Sequence, residues 1–224
     1  MRRWRLILLA TALLAGRALA QAPSAAQPSE AERLVFLHDH LAASRQPQVL
    51  RYRYVEEQQG KAGARDRAVL TLAAGAGKRC CDVHGEYLSG ASAIDLPDIP
   101  DAHANPLLLY FLEGEVRRLQ RTTQGQAAHF RRQIRQSLAD TATVTEGSIR
   151  WAGATVAART VRVSPFLDDP YRARFSAQAT TEYAFVLSDA VPGGVYQVSA
   201  TLPATTAGGA PLARRTLTIE ETKP

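Results

Sequence analysis

Residues 105–138 read NPLLLYFLEGEVRRLQRTTQGQAAHFRRQIRQSL. Asn is a favoured helix N-cap and Pro a favoured first helical residue, so Asn105-Pro106 opens a helix. Leu107 to Leu112 is apolar on every side, which predicts a buried first half. The second half narrows to Val116 and Leu119, and the helix runs to about Arg121. Thr122 to Gly125 forms a turn. Ala127, Phe130, Ile134 and Leu138 then recur on one stripe, the mark of a second amphipathic helix. So short a connection makes the pair an αα-hairpin. Gly114, in mid-helix, costs about 1 kcal/mol relative to Ala, which predicts a close neighbour there.

Outward from the hairpin the apolar period changes to two. Before it, Leu50, Tyr52 and Tyr54 alternate with Arg51 and Arg53 from Val49 onward. A polar turn at Gly60 and Gly63 leads to a second strand around Ala68 to Ala73, and Gly75 and Gly77 lead to a third, about Arg79 to Leu88. Connections this short predict an antiparallel meander. A Pro/Asp-rich loop, Leu96 to Asp101, joins it to the hairpin. After the hairpin, strands are expected at Ile149 and Trp151, Val161 and Val163, Tyr171 to Phe175, Tyr183 to Leu187, Tyr196 to Ala200, and Leu217 with Ile219. At the other end, Ser29 and Glu32 have capping-box spacing, and Leu34, Leu37 and Leu41 give a helical stripe that ends before Pro47.

The resulting fold class is α+β: an N-terminal helix and an αα-hairpin packed on a curved antiparallel β-sheet. About seven to nine strands are expected, and a sheet of that size curls, giving a half-barrel with a concave face. The order of elements resembles, at the level of fold alone, the half-barrels of periplasmic lipoprotein carriers, which implies no function.

The 224 residues carry 27 Lys+Arg against 21 Asp+Glu, a formal net charge of +6. Four of those charges, Arg2, Arg3, Arg5 and Arg17, lie in residues 1–20. There the basic start, the apolar run Leu6 to Ala15 and the small-x-small signal Ala18-Leu19-Ala20 read as a cleaved signal peptide. The run is too short to span a bilayer, which needs about 20 residues. Cleavage near Ala20 leaves 23 basic and 21 acidic residues, so the charge no longer argues for a nucleic-acid partner. The expected organisation is a signal peptide over 1–20, a flexible Pro/Ala/Ser/Gln tether over 21–28 and a single α+β domain over 29–220. The expected location is the periplasm, with no transmembrane segment in the mature chain.

Chemical motifs are sparse. There is no Walker loop, dinucleotide fingerprint, nucleophile elbow or H-E-x-x-H zinc motif. No cofactor and no metal site are expected. His38 and His40, near a helix end, read as solvated. Cys80 and Cys81 read as two unpaired cysteines, at least one of them buried, because adjacent side chains on a strand point to opposite faces; a strained vicinal disulfide is the alternative. The one concentration of chemistry is the arginine set of the hairpin. Arg117 and Arg121 share a face, as do Arg131 and Arg135, and His129 lies beside them. Glu113 pairs with Arg117 at i,i+4, and Glu115 reaches Arg118. Guanidinium forks suit anions, so Arg117, Arg121, Arg131, Arg135 and His129 are candidate residues for an anionic or amphiphilic small molecule. The alternatives are docking of an envelope protein on the hairpin, and a hydrolase using His84 or His129 with a nearby carboxylate.

The runs Asn105 to Glu113, Leu119 to Thr123 and Phe130 to Arg135, with Leu187 to Tyr196 (LSDAVPGGVY), resemble an uncharacterised family of exported proteobacterial proteins over most of the mature chain. The chain departs from that pattern at Gln124, where the family has Gly. The resemblance implies a compartment and no mechanism. Together these observations predict an exported, non-catalytic binding or envelope-assembly module.

Overall fold

A computed structural model describes residues 27–76 and 80–221. The expected leader, residues 1–20, and nearly all of the tether lie outside the described residues. The chain is α+β, and among the described residues nine strands form one open antiparallel sheet in the order β4-β3-β2-β1-β9-β8-β7-β6-β5. In sequence these are β1 (Gln48–Gln58), β2 (Lys61–Ala74), β3 (Cys81–Tyr87), β4 (Ile99–Ala102), β5 (Thr143–Trp151), β6 (Ala154–Val163), β7 (Glu182–Leu187), β8 (Val195–Leu202) and β9 (Ala213–Ile219). Every pairing is between neighbours in sequence except one. The last strand returns to pair with the first, Tyr52 opposite Ile219 and Tyr54 opposite Leu217.

The two-residue period puts one continuous row of apolar side chains across the sheet. Val161 lies opposite Phe185, Phe185 opposite Val198, Val198 opposite Leu217, and Leu217 opposite Tyr54. All five are buried, while Arg51 and Arg53 on the other face of β1 are exposed. A sheet with one dry face needs a second layer to cover it. The helices supply that layer.

The hairpin is α2 (Leu107–Thr123) and α3 (Ala127–Asp140). Phe111 of α2 meets Tyr183 and Phe185 edge to face, with centroids 6.2 and 6.4 Å apart. Tyr52, Leu70, Leu107, Leu108 and Phe111 are among the largest fully buried side chains, so α2 fills the concave face instead of roofing a cavity. The neighbour expected at Gly114 is Tyr87: a Cβ on Gly114 would lie 3.1 Å from its ring and its hydroxyl. Tyr87 is itself buried. Gly114→Leu should therefore cost about 1–3 kcal/mol despite the better helix propensity of Leu, read as a lower urea midpoint at unchanged slope. Gln124, where a Gly was expected from the resemblance, takes the left-handed conformation (φ 56°), and its side-chain amide donates to the Arg121 carbonyl at 3.0 Å.

Several expectations are corrected. The capping box of Ser29 and Glu32 forms, but the helix it opens, α1 (Glu30–Glu32), passes into a π-helical turn, Arg33–Leu37, and ends there. The Ser29 hydroxyl also donates to the Leu138 carbonyl, which ties this helix to α3. β2 starts at Lys61, directly after a tight Gln59-Gly60 turn, and is longer than the sequence suggested. The Pro/Asp loop contains the short edge strand β4. Arg172–Phe175 is a 3-10 turn and not a strand. Cys80 and Cys81 are joined in a disulfide and are not free.

Candidate functional site

The hairpin arginines do not form one patch. Glu113 bridges two of them. Its carboxylate accepts from Arg117 Nε at 3.1 Å along the helix, and from Arg131 Nε and Nη2 at 2.9 and 2.8 Å across the hairpin. The Arg131 fork above all, with Arg117 and against partial burial, holds the Glu113 carboxyl below the usual range. Arg135, one turn beyond Arg131, is exposed and has no carboxylate partner among the described residues. These side chains form the lip of an apolar groove of about 650 Å³. Leu112, Val116 and Ile134 form its floor, and Phe36, Leu96, Pro97 and Leu109 its walls. Three guanidinium groups against one carboxylate leave the lip net positive. Leu109 is 51% exposed, an unusual fraction for a leucine in the middle of such a stretch.

Arg121 lines a neighbouring polar cleft of about 590 Å³ together with Arg117, which borders both, and with Arg118, Glu56 and Tyr54. At its base is a buried ion triad. Arg215 of β9 grips Glu115 with two bonds, Nε to Oε1 at 2.6 Å and Nη2 to Oε2 at 2.8 Å. Arg118 adds Nε and Nη2 to Oε2 at 3.1 and 3.0 Å, and donates from Nη1 to Gln178. The i,i+3 half of this triad is visible in the sequence; the partner 100 residues away is not. Burial alone would raise the Glu115 carboxyl, but Arg215 and Arg118 outweigh it and hold it low.

The chain matches no protein-family model and no curated protein.

His129 also leaves the arginine set. Its Nε2 lies 2.6 Å from the carboxylate of Asp169, which is fully buried, and its ring meets Tyr171 edge-on at 5.5 Å. A guanidinium only donates. Arg132 Nη2, 3.3 Å from His129 Nδ1, therefore makes Nδ1 the acceptor and puts the ring proton on Nε2, facing Asp169. His84 pairs with Asp98 at 2.7 Å on the open surface. So each histidine of the hydrolase reading has a carboxylate partner. His129 lines two clefts: one whose described lining has neither Ser nor Cys, and one that Ser137 and Ser164 also line. Its Nδ1 lone pair is already engaged by Arg132.

His40 overturns its expected exposure. It is 5% exposed, and its Nδ1 accepts the Asn105 backbone N–H at 3.3 Å. Asn105 is the hub of this region. Its side-chain amide donates to Tyr52 Oη at 2.9 Å and to the Gly193 carbonyl at 2.7 Å, while its Oδ1 accepts from Leu107 N–H as the expected helix cap. Gly193 and Gly194 both have positive φ, and a Cβ on Gly194 would run into His40. The opening NPLLLYFLE and turn LSDAVPGGVY motifs, far apart in the chain, thus meet at Asn105. His38 Nε2 joins the same turn through Asp189 at 3.0 Å. No group of His, Cys, Asp and Glu among the described residues has the arrangement of a metal site.

Proposed function

We propose that the chain is an exported, non-catalytic binding protein of the bacterial envelope, and that its groove takes an anionic amphiphile. The observation that carries this reading is the groove itself. Its lining is mostly apolar, and Arg135, a guanidinium with no carboxylate partner among the described residues, lines it beside the Arg117–Glu113–Arg131 bridge. Its volume lies within the roughly 300–1,000 Å³ of small-molecule sites. An acyl chain gains about 0.8 kcal/mol for each CH₂ it buries, and an acidic head group finds a bidentate donor at the lip. The basic, apolar and small-residue segments of residues 1–20 support export, as does the motif resemblance to an exported family. No helix among the described residues is long and apolar enough to cross a membrane.

The filled concave face redirects the carrier analogy. Cargo inside the half-barrel has no room beside Phe111 and Tyr183, so the ligand site lies on the hairpin. A second reading, docking of an envelope protein on α2, is favoured by the exposure of Leu109.

Thermal denaturation with decanoate and with decanol tests the amphiphile reading. Decanoate should raise the melting temperature more than decanol does. Arg135→Glu should abolish that difference, and Leu109→Asp should abolish both shifts. No shift with either compound contradicts the reading and leaves protein docking as the better account of the groove.

A further inference from the structure

We propose that a second site, the cleft at the α2–α3 turn, binds a phosphate monoester carried on a planar ring. This cleft stands apart from the groove and shares no lining residue with it. The cleft has a volume of about 630 Å³. Its floor is aromatic: Phe130 and Phe175 are buried there, and Tyr171 stands at its wall, 52% exposed. Two guanidinium groups face it from different elements, Arg132 from α3 and Arg174 from the 3-10 turn. Neither makes an ion pair among the described residues. Arg174 lies over the Tyr171 ring, 5.4 Å from its centroid. No carboxylate among the described residues lines the cleft.

The polar groups are held in place from behind. Asp169, with a fully buried side chain, receives His129 Nε2 at 2.6 Å through one oxygen and the Tyr171 backbone N–H at 2.8 Å through the other. One buried carboxylate thus fixes both the imidazole and the aromatic wall, and Tyr171 in turn carries Arg174. A buried acid spent on orienting two neighbours is the construction expected of a preorganised site. Arg132 rests on His129 Nδ1 at 3.3 Å, a long contact that an anionic oxygen would readily displace. The first turn of α3 also opens here, and its N-cap, Gln126, makes no side-chain cap, so the positive end of the helix adds to the field.

Donors from two forks and a helix start outnumber the two oxygens of a carboxylate. The three terminal oxygens of a phosphate monoester match them. The aromatic floor and wall then select the group that carries the phosphate, because a flat ring stacks where an aliphatic chain does not gain the same contact.

Calorimetric titration of the chain from Gln21 onward with phenyl phosphate and with inorganic phosphate tests this assignment. Phenyl phosphate should bind saturably, one per chain, and more tightly than inorganic phosphate. Arg132→Glu and Arg174→Glu should each weaken it by at least about tenfold. Both side chains are exposed, so melting temperatures should stay unchanged. Arg135→Glu, at the groove, should leave phenyl phosphate binding intact while removing the decanoate effect, which separates the two sites. No saturable binding at millimolar phenyl phosphate overturns the proposal. So does binding retained in the Arg132→Glu, Arg174→Glu double variant. Equal affinity for the two probes overturns the ring.

Discussion

Glu115→Ala should lower the melting temperature by roughly ten degrees or more, from a loss of about 3–5 kcal/mol. The cost comes from what is left behind. Glu115 and Arg215 have side chains 5% and 6% exposed. Removing the carboxylate strands one guanidinium in the core and loosens the bond between α2 and β9. Glu113→Ala is the internal control. Glu113 also serves two arginines, but Arg117 and Arg131 are 42% and 51% exposed and return to water once it is gone. That change should cost no more than about 1 kcal/mol. Equal losses for the two variants would contradict a structural role for the triad. Glu115 also has a pH signature. Its folded carboxyl is held low, so its contribution is present at neutral pH and disappears only as pH falls through that depressed value.

A second large effect is expected on the acid limb of stability. Burial, helped by His38 and His103 and opposed by the Leu34 carbonyl and Asp189, lowers the His40 imidazole from 6.5 to about 4. Protonation would also set a second N–H against the Asn105 N–H that Nδ1 now accepts. The unfolded chain takes up this proton near pH 6.5, and the folded chain only near pH 4. Stability from the neutral imidazole is therefore complete above 6.5 and drains away as pH falls to about 4, by about 3 kcal/mol in all. His84 acts in the opposite sense: Asp98 raises it, so the pair is lost as pH rises, but it is an exposed surface pair. Urea unfolding of the wild type and of His40→Gln across this window separates the two. The wild type should lose stability more steeply with acid, and the difference between the curves should shrink towards pH 4. Parallel curves would contradict the account.

The sequence was most informative where one element determines its own structure. The stripe Ala127, Phe130, Ile134, Leu138 and the alternation Leu50, Tyr52, Tyr54 fix α3 and β1 because burial follows a local period. Arg172–Phe175 was misread because apolar residues two apart also suit a tight turn. Asp169-Pro170 was the signal to weigh: the Asp169 side chain caps the Tyr171 N–H at 2.8 Å and starts the turn. The groove was half legible. Spacing placed Arg117, Arg131 and Arg135 on the hairpin and paired Glu113 with Arg117. That Arg131 also folds back on Glu113, and that His129 turns away to Asp169, depends on tertiary packing that no spacing encodes. The burial of His40 has the same origin, for Asn105 and Gly194 approach it from distant parts of the chain.

The most direct test of the central claim is native mass spectrometry of the chain from Gln21 onward after incubation with decanoate. The groove predicts a one-to-one adduct that Arg135→Glu and Leu109→Asp each remove, while Arg132→Glu, in the other cleft, retains it. A bare protein mass in every sample, or an adduct indifferent to Arg135 and Leu109, would contradict the assignment of the groove as the ligand site.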